Sequence, residues 1–448
     1  MNHAESARTA FADSLKLLRT RQFGTFWFAS LLSSVGTWAQ QVAQPWLLLT
    51  LGASSFLVGL DSFAMSAPIW LLTLPGGVLA DHADRRRVIA GFQSVQMLCP
   101  VVIVVLLLAG IARPWEIIAT SLVVGITDAL SMPSFSSIVP SIVAHEQIPA
   151  GLALNSTQFN VSRIVGPAIA GILMSTVGAI GCFIVSAVSY VPFIGIALWI
   201  LPRKTASRPA ADANVGQHPF ADLRNVVRDA GLRGALLTAL ASGVLCGPLL
   251  IFCPVLVQNV WHGSAAQFSV AIGAFGIGGL LGGVGLLGVD PTRDRRKICA
   301  AAATLYGALL MAIALNPWAR ALPALFVVAG VMMSLTNTSA NTFVQSAAAA
   351  NLRGQAVSLY MLASRGGTAL GGLATGLSVE VFGIRDALFI NGALAVMAQL
   401  LIGRIWRART AASGAWSVIR TPAPSASTPR LRHNAGRSAE KGWSFICW

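Results

Sequence analysis

Two carboxylic acids stand where a carboxylic acid is costly. Asp61 lies in SFLVGLDSFAMS and Asp128 in SLVVGITDALSM, stretches that otherwise hold apolar and small residues. An acid withdrawn from water exchanges its charge for a proton unless a partner holds it, so each is a candidate proton carrier. The competing role for each is a structural hydrogen bond to a Ser, Thr or Gln nearby. Arg163 and Arg365 sit just inside apolar runs, each after a serine and ahead of a small-residue run. An anchoring or gating role suits both, and Arg163 is also a candidate partner for Asp128. Amides recur as well. Gly36, Gln40 and Gln44 repeat every four residues, as do Ser33, Thr37 and Gln41, and further on Asn337, Asn341 and Gln345. On a helix that spacing makes a polar stripe. Such a stripe at apolar depth faces either a cavity or a neighbouring helix. With Trp38 beside the first stripe, Trp38, Gln40, Gln41, Gln44, Asn337, Asn341 and Gln345 are the candidate lining of a cavity for a small molecule.

Other chemistry is missing from the sequence. There is no HExxH, no G-x-S-x-G and no G-x-x-x-x-G-K-[ST], so neither hydrolysis nor a nucleotide site is expected. No cofactor and no metal site are expected, and uphill work would have to draw on an ion gradient such as that of protons. The cysteines form no CxxC pair and read as small apolar residues.

These residues need elements to position them. The chain has 448 residues, 55% hydrophobic and 10% charged, with mean hydropathy +0.70. That composition describes a polytopic membrane protein. Crossing ~30 Å of hydrocarbon takes ~20 apolar residues, and about twelve such runs lie between Phe23 and Trp406. All must be helical, because lipid satisfies no backbone polar group. The expected fold class is an all-α integral membrane protein. Its organisation reads as an N-terminal arm (1–22), a first half of six helices (23–201), a linker (202–233), a second half of six (234–406) and a disordered basic tail (407–448). Span 5 is expected from about Asn160, after a polar link, and span 7 over 234–258.

A formal net charge of +15 invites a nucleic-acid reading, which the placement of the charge removes. With the N-terminus inside, Lys and Arg gather on the inner side at Arg19, Arg21, Arg85–Arg87, the linker, Arg293–Lys297 and the tail. The outer loops keep only Arg113, Arg320 and Arg385. This asymmetry is the positive-inside bias, so the charge reports topology, with the lipid bilayer as partner and no nucleic acid. Both termini are then cytoplasmic.

The segment Gly76–Arg87, GGVLADHADRRR, resembles the loop between helices 2 and 3 of the major facilitator superfamily. Gly77, Asp81, Arg85 and Arg86 fall on its pattern, with His82 at the first basic position and Asp84 where glycine is usual. Gly166-Pro167-Ala168-Ile169-Ala170-Gly171 resembles the helix 5 signature of superfamily antiporters, with Ala170 in place of glycine; Gly166, Pro167 and Gly171 keep the pattern. Leu352–Tyr360 is similar to the loop before helix 11 in the bacterial exporter branch. The loop Gly288–Lys297 and the pair Ser364-Arg365 echo the first half, as duplication of a six-helix unit would leave them. The resemblance implies twelve transmembrane helices in two six-helix halves, and a cavity lined by helices 1, 4, 7 and 10. It further implies a small-molecule substrate, a monomer in the inner membrane of a bacterium, and proton-coupled efflux by alternating access, with Asp128, Asp61 and Arg163 as coupling candidates. The helix 4 arginine and helix 1 acid of many superfamily drug antiporters are absent from this sequence. An importer of the same fold, or a receptor or assembly protein that transports nothing, carries the same motifs.

Overall fold

The computed structural model describes residues 16–136, 138–199, 228–287, 294–348 and 352–418. The arm before Lys16, the linker over 202–227, the tail beyond Val418 and the Gly288–Asp290 echo lie outside the described residues. So do the surroundings of Gly77 and the side chains of Asp81, His82 and Arg85.

Among the described residues every regular element is helical. In chain order they are α1 (Arg21–Thr50), α2 (Ser55–Ser66), α3 (Pro68–His82), α4 (Arg85–Leu108), α5 (Pro114–Ser136), α6 (Ile138–Ile142), α7 (Ile148–Thr176) and α8 (Ala179–Trp199). There follow α9 (Ala230–Cys246), α10 (Pro248–Ile251), α11 (Cys253–Trp261), α12 (Ala265–Leu287), α13 (Arg295–Leu315), α14 (Leu322–Ala347), α15 (Arg353–Met361), a π turn (Leu362–Gly366), α16 (Gly367–Phe382) and α17 (Ile384–Val418). Nine helical stretches among the described residues are long and apolar enough to cross a membrane. At 30 and 29 residues, α1 and α7 have the length but not the composition. Their polar side chains are the reason, and some of these bond to other helices.

Several boundaries differ from the sequence reading. Helix α7 begins at Ile148, not near Asn160, because the polar stretch before Asn160 is helix whose amide is used: Gln158 Nε2 donates to the Ser30 carbonyl and to Ser34 Oγ of α1, at 3.0 and 2.9 Å. The stretch 234–258 is three helices, interrupted at Gly247-Pro248 and Phe252. Helix α9 starts at Ala230, inside the expected linker, where Asp229 Oδ1 accepts from Leu232 N at 2.9 Å. Residues 407–418, expected as disordered tail, continue a helix rich in Arg and Ala, both strong helix formers.

Contacts make the residues up to Trp406 one compact unit. Its helices sort into two groups, α1–α8 and α9–α17, and the apolar core is divided unevenly between them. One large cluster draws from both groups near one set of helix ends, including Leu48, Val58, Ile117 and Phe183 with Leu256, Phe268, Ile313 and Leu388. Near the opposite ends each group keeps a core of its own, one around Phe23, Ile89, Ile138 and Phe193, the other around Leu232, Cys299, Val344 and Tyr360.

The joined end is made by α2 against α16 and α7 against α12. Helices α2 and α16 approach backbone to backbone: a Cβ on Gly59 would fall on the carbonyl oxygen of Gly372. Trp46 stacks on Phe268 with ring centroids 5.5 Å apart. Glu380 Oε1 accepts from the Phe56 backbone N at 3.1 Å and so takes one of the free donors at the start of α2.

Candidate functional site

The two acids lie in different surroundings. Asp61, on α2, is 5% exposed. Gln44 Nε2 of α1 lies 2.9 and 2.8 Å from its two carboxyl oxygens, and Ser121 Oγ of α5 donates to Oδ1 at 2.6 Å. Gln44 Nε2 is also 2.6 Å from Ser121 Oγ, and Gln40 Nε2 reaches Gln44 Oε1 at 3.5 Å. Three helices are thus tied through one carboxylate, as the alternative reading of Asp61 expects. Gln40 and Gln44 spend their hydrogen bonds on this knot. Gln41 stays free of it and lines a small polar pocket with Thr37, Gln96, Thr120 and Tyr190.

Asp128, two turns along α5 from Ser121, is exposed instead. It shares the helix face of Ser121 and Val124, both of which line the same polar pocket. A short relay from α4 holds it: Gln93 Nε2 donates to Gln96 Oε1 at 2.9 Å, and Gln96 Nε2 donates to Thr127 Oγ1 at 3.1 Å and to Asp128 Oδ1 at 3.3 Å. Gln93 and Gln96 escaped the sequence reading, although two amides three residues apart in an apolar run are the same kind of signal as the α1 stripe. Asp128 therefore has one neutral donor and an open side.

No ion pair joins Arg163 to Asp128 among the described residues. Arg163, on α7, stands over the Trp38 ring at 5.4 Å from its centroid, and Phe159 meets the same ring edge-on at 6.0 Å. Trp38 is thus a platform for an arginine. Helix α7 comes this close because position 166 is glycine: a Cβ there would fall on Trp38 Cβ. Gly171, beyond Pro167, faces the second group, where a Cβ would meet Ser269 Cβ at 2.9 Å. Arg365 lies in the π turn of the second group. It is exposed, and its neighbour Gly366 seats against the Trp70 ring of α3.

The span 10 stripe lies apart from the pocket of the α1 stripe. Tyr360 OH donates to the Asn337 carbonyl at 2.9 Å, and Gln345 Nε2 donates to Asn341 Oδ1 at 3.1 Å. Gln345 is exposed.

In the basic segment, Asp84 is a helix cap. Its φ of −67° needs no glycine, and its Oδ1 accepts from Arg86 N at 3.1 Å at the start of α4. Arg86 Nη1 donates to the Leu198 carbonyl of α8 at 2.9 Å. Asp294 repeats the cap on α13, accepting from Arg296 N at 3.0 Å. Slight burial pushes the Asp294 carboxyl up, and the Arg296 guanidinium, at 3.0 Å, outweighs it and holds the group below its usual range.

Over residues 12–436 the sequence matches the family described as transmembrane secretion effector. The staphyloferrin A transporter of Staphylococcus aureus is 25% identical over 375 residues, covering 82% of this chain and 92% of its own length. The multidrug efflux pump Tap of Mycobacterium bovis is 25% identical over 393 residues, 84% of this chain and 91% of its own. A crystal structure of a bacterial homologue of the human lysosomal transporter spinster, inward-facing and unoccupied, shares the fold with a TM-score of 0.69 at 17% identity, over 87% of this chain and 97% of that one. With nine apolar spans among its described residues and these relatives, the protein is a multi-pass membrane transporter and not an enzyme, and the chain belongs to the transmembrane secretion effector family of the major facilitator superfamily.

Proposed function

We propose that this transporter exports a small amphipathic molecule, such as a drug, siderophore or metabolite, in exchange for protons. Twelve helices in two halves rock about a central cavity, and no cofactor beyond the proton gradient is used. The observation that carries the reading is Asp128: a carboxylate in a membrane-spanning helix that is exposed and held by one neutral amide. An acid so placed can change its proton as the cavity changes sides. Asp61, tied to Gln44 and Ser121, serves as a structural knot. The names of the efflux relatives support the outward direction.

The separate cores lie at the ends that carry Arg19, Arg21, Arg86, Arg87, Arg233 and Arg296, and the joined core lies beside the loops of Arg113, Arg320 and Arg385. By the positive-inside bias the open ends are cytoplasmic, as are both termini, and the state described is open to the inside of a bacterial inner membrane. A monomer suffices for this cycle. The energy suffices as well: ~2.3 kcal/mol per charge per 100 mV drives about a fifty-fold gradient for one net charge.

The test is accumulation of dyes, antibiotics and siderophores in cells expressing the protein or Asp128→Asn, with and without a protonophore. Lowered accumulation that returns to control with the protonophore and in the variant is expected. Raised accumulation would make the protein an importer, and no change across the panel would remove the exporter reading.

A further inference from the structure

An open groove of about 460 Å³ lies between α1 and α8, beside the turn that leads into α1. Its walls change character along its length. Phe28 and Leu32 of α1 and Pro192 and Ile196 of α8 make an apolar part, and Arg19, Thr20 and Arg21 line the end next to the turn. Phe28 and Leu32 are exposed and lie on nearly the opposite face of α1 from Thr37 and Gln44, so the groove is turned away from the polar pocket. On α8, Val188 and Val191 are exposed as well. Exposed apolar residues on membrane-spanning helices meet lipid tails. Trp199, 88% exposed at the end of α8, sits where an amphipathic ring marks the headgroup level. At 1.5 Å per residue, Ile196 and Pro192 are then ~5 and ~10 Å into the hydrocarbon.

The basic end is held in place. Leu17 belongs to the core around Phe23 and Leu18 packs against that core. Thr20 donates to the Leu17 carbonyl from its backbone N at 3.1 Å and from Oγ1 at 2.7 Å. Gly24 admits the turn, since a Cβ there would fall on the Leu18 carbonyl oxygen. Arg19 and Arg21 are exposed, and among the described residues neither forms an ion pair. Two cations thus stand at the membrane surface beside an apolar channel that runs into the bilayer.

We propose that this groove holds one anionic phospholipid of the inner leaflet, with its phosphate at Arg19 and Arg21 and an acyl chain along Phe28, Leu32, Pro192 and Ile196. The inner leaflet follows from the positive-inside orientation, and basic residues at a membrane surface attract anionic lipid. Such a molecule has one charged end and one apolar end, as the groove does. A free phosphate leaves the apolar walls uncovered, and a protein helix packed there leaves the arginines without counter-charge. The bound lipid touches the entry turn, α1 and α8 together and so braces the inner end of the first helix group.

The test is native mass spectrometry of the purified full chain in detergent, titrated with phosphatidylglycerol, with phosphatidylcholine of the same chains, or with glycerol phosphate. Each arginine is expected to contribute about fivefold, so the first phosphatidylglycerol should bind about twenty-fivefold tighter than the first phosphatidylcholine. Arg19→Gln and Arg21→Gln should each lower that preference about fivefold, and the double variant should abolish it. Arg21→Lys should keep most of it, because a point charge also binds phosphate. Arg87→Gln, which removes a charge at the same membrane face outside the groove, should leave the preference unchanged. Equal binding of the two lipids, including none of either, overturns the proposal. So does a preference that survives the double variant or that falls as far in Arg87→Gln. Glycerol phosphate binding as tightly as phosphatidylglycerol would reduce the site to an anion site without the groove. A dimer of the parent chain that the double variant loses would make the groove an interface between copies and overturn the lipid.

Discussion

The two ends of the helix bundle are built on different terms. Where Val58, Ile117 and Phe183 meet Leu256, Phe268 and Leu388, the two helix groups share one core, closed by Gly59 on Gly372 and by Glu380 on the start of α2. At the other end Phe23 and Phe193 belong to one core and Val344 and Tyr360 to another. Cohesion within each group therefore does not depend on the joined end, and cohesion between the groups depends on it heavily. A protein that must open one side at a time needs this inequality: each group stays whole while the seam between them parts.

That contrast can be broken most sharply at Gly59. Gly59→Val puts a branched side chain where even a Cβ meets the Gly372 backbone, so the joined end should part while both separate cores persist. Export should fall more than tenfold with the protein still in the membrane. A bifunctional maleimide between cysteines placed at Phe56 and Glu380 should then link poorly, and unchanged linking would count against the seam. Asp61→Ala is next. It strands the Gln44 and Ser121 donors within a single group, and should lower stability by about 1–3 kcal/mol in a detergent melt with cross-linking at the seam unchanged. Asp84→Ala and Asp294→Ala remove matching caps and should cost about 1 kcal/mol each. For Asp294 the depressed carboxyl fixes the sign of a pH effect: its contribution is present above the ordinary carboxylate range and fades as pH falls through its folded value. A destabilisation by Asp294→Ala that grew with acid would contradict the pairing with Arg296. The smallest effect belongs to Glu380→Gln, which keeps an acceptor for Phe56 N and should shift the melt by less than about 0.5 kcal/mol.

The long apolar runs were plain in the sequence because lipid imposes one length and one secondary structure. Asp61, Asp128 and the glutamines stood out for the same reason, as polar groups in the wrong solvent. Their partners did not. Gln44 is bound to Asp61 seventeen residues away and to Ser121 on a third helix, and no periodicity states which stripe meets which. The Arg163–Asp128 pairing failed for a like reason: a helix spacing places charges on faces but does not say that an indole will take up the guanidinium. Asp84 stands out in sequence only as a departure from glycine, because its role as a cap is local chemistry, visible once the start of α4 is fixed. Span 5 was shortened because polar residues that serve α1 look, in sequence, like residues that serve water.

Helix α16 carries glycines on two sides. A Cβ at Gly371 would meet the Val244 backbone of its own group, while Gly372 receives Gly59 and Gly376 lies against Ser55 and Phe56 of the other. The helix is therefore a rail clamped along one edge and smooth along the other, and both edges are bare main chain. The small polar pocket, by contrast, is lined by side chains such as Gln41 and Gln96 on other helices. A lineage can rewrite the second without disturbing the first, so relatives with quite different cargoes can run on the same rail.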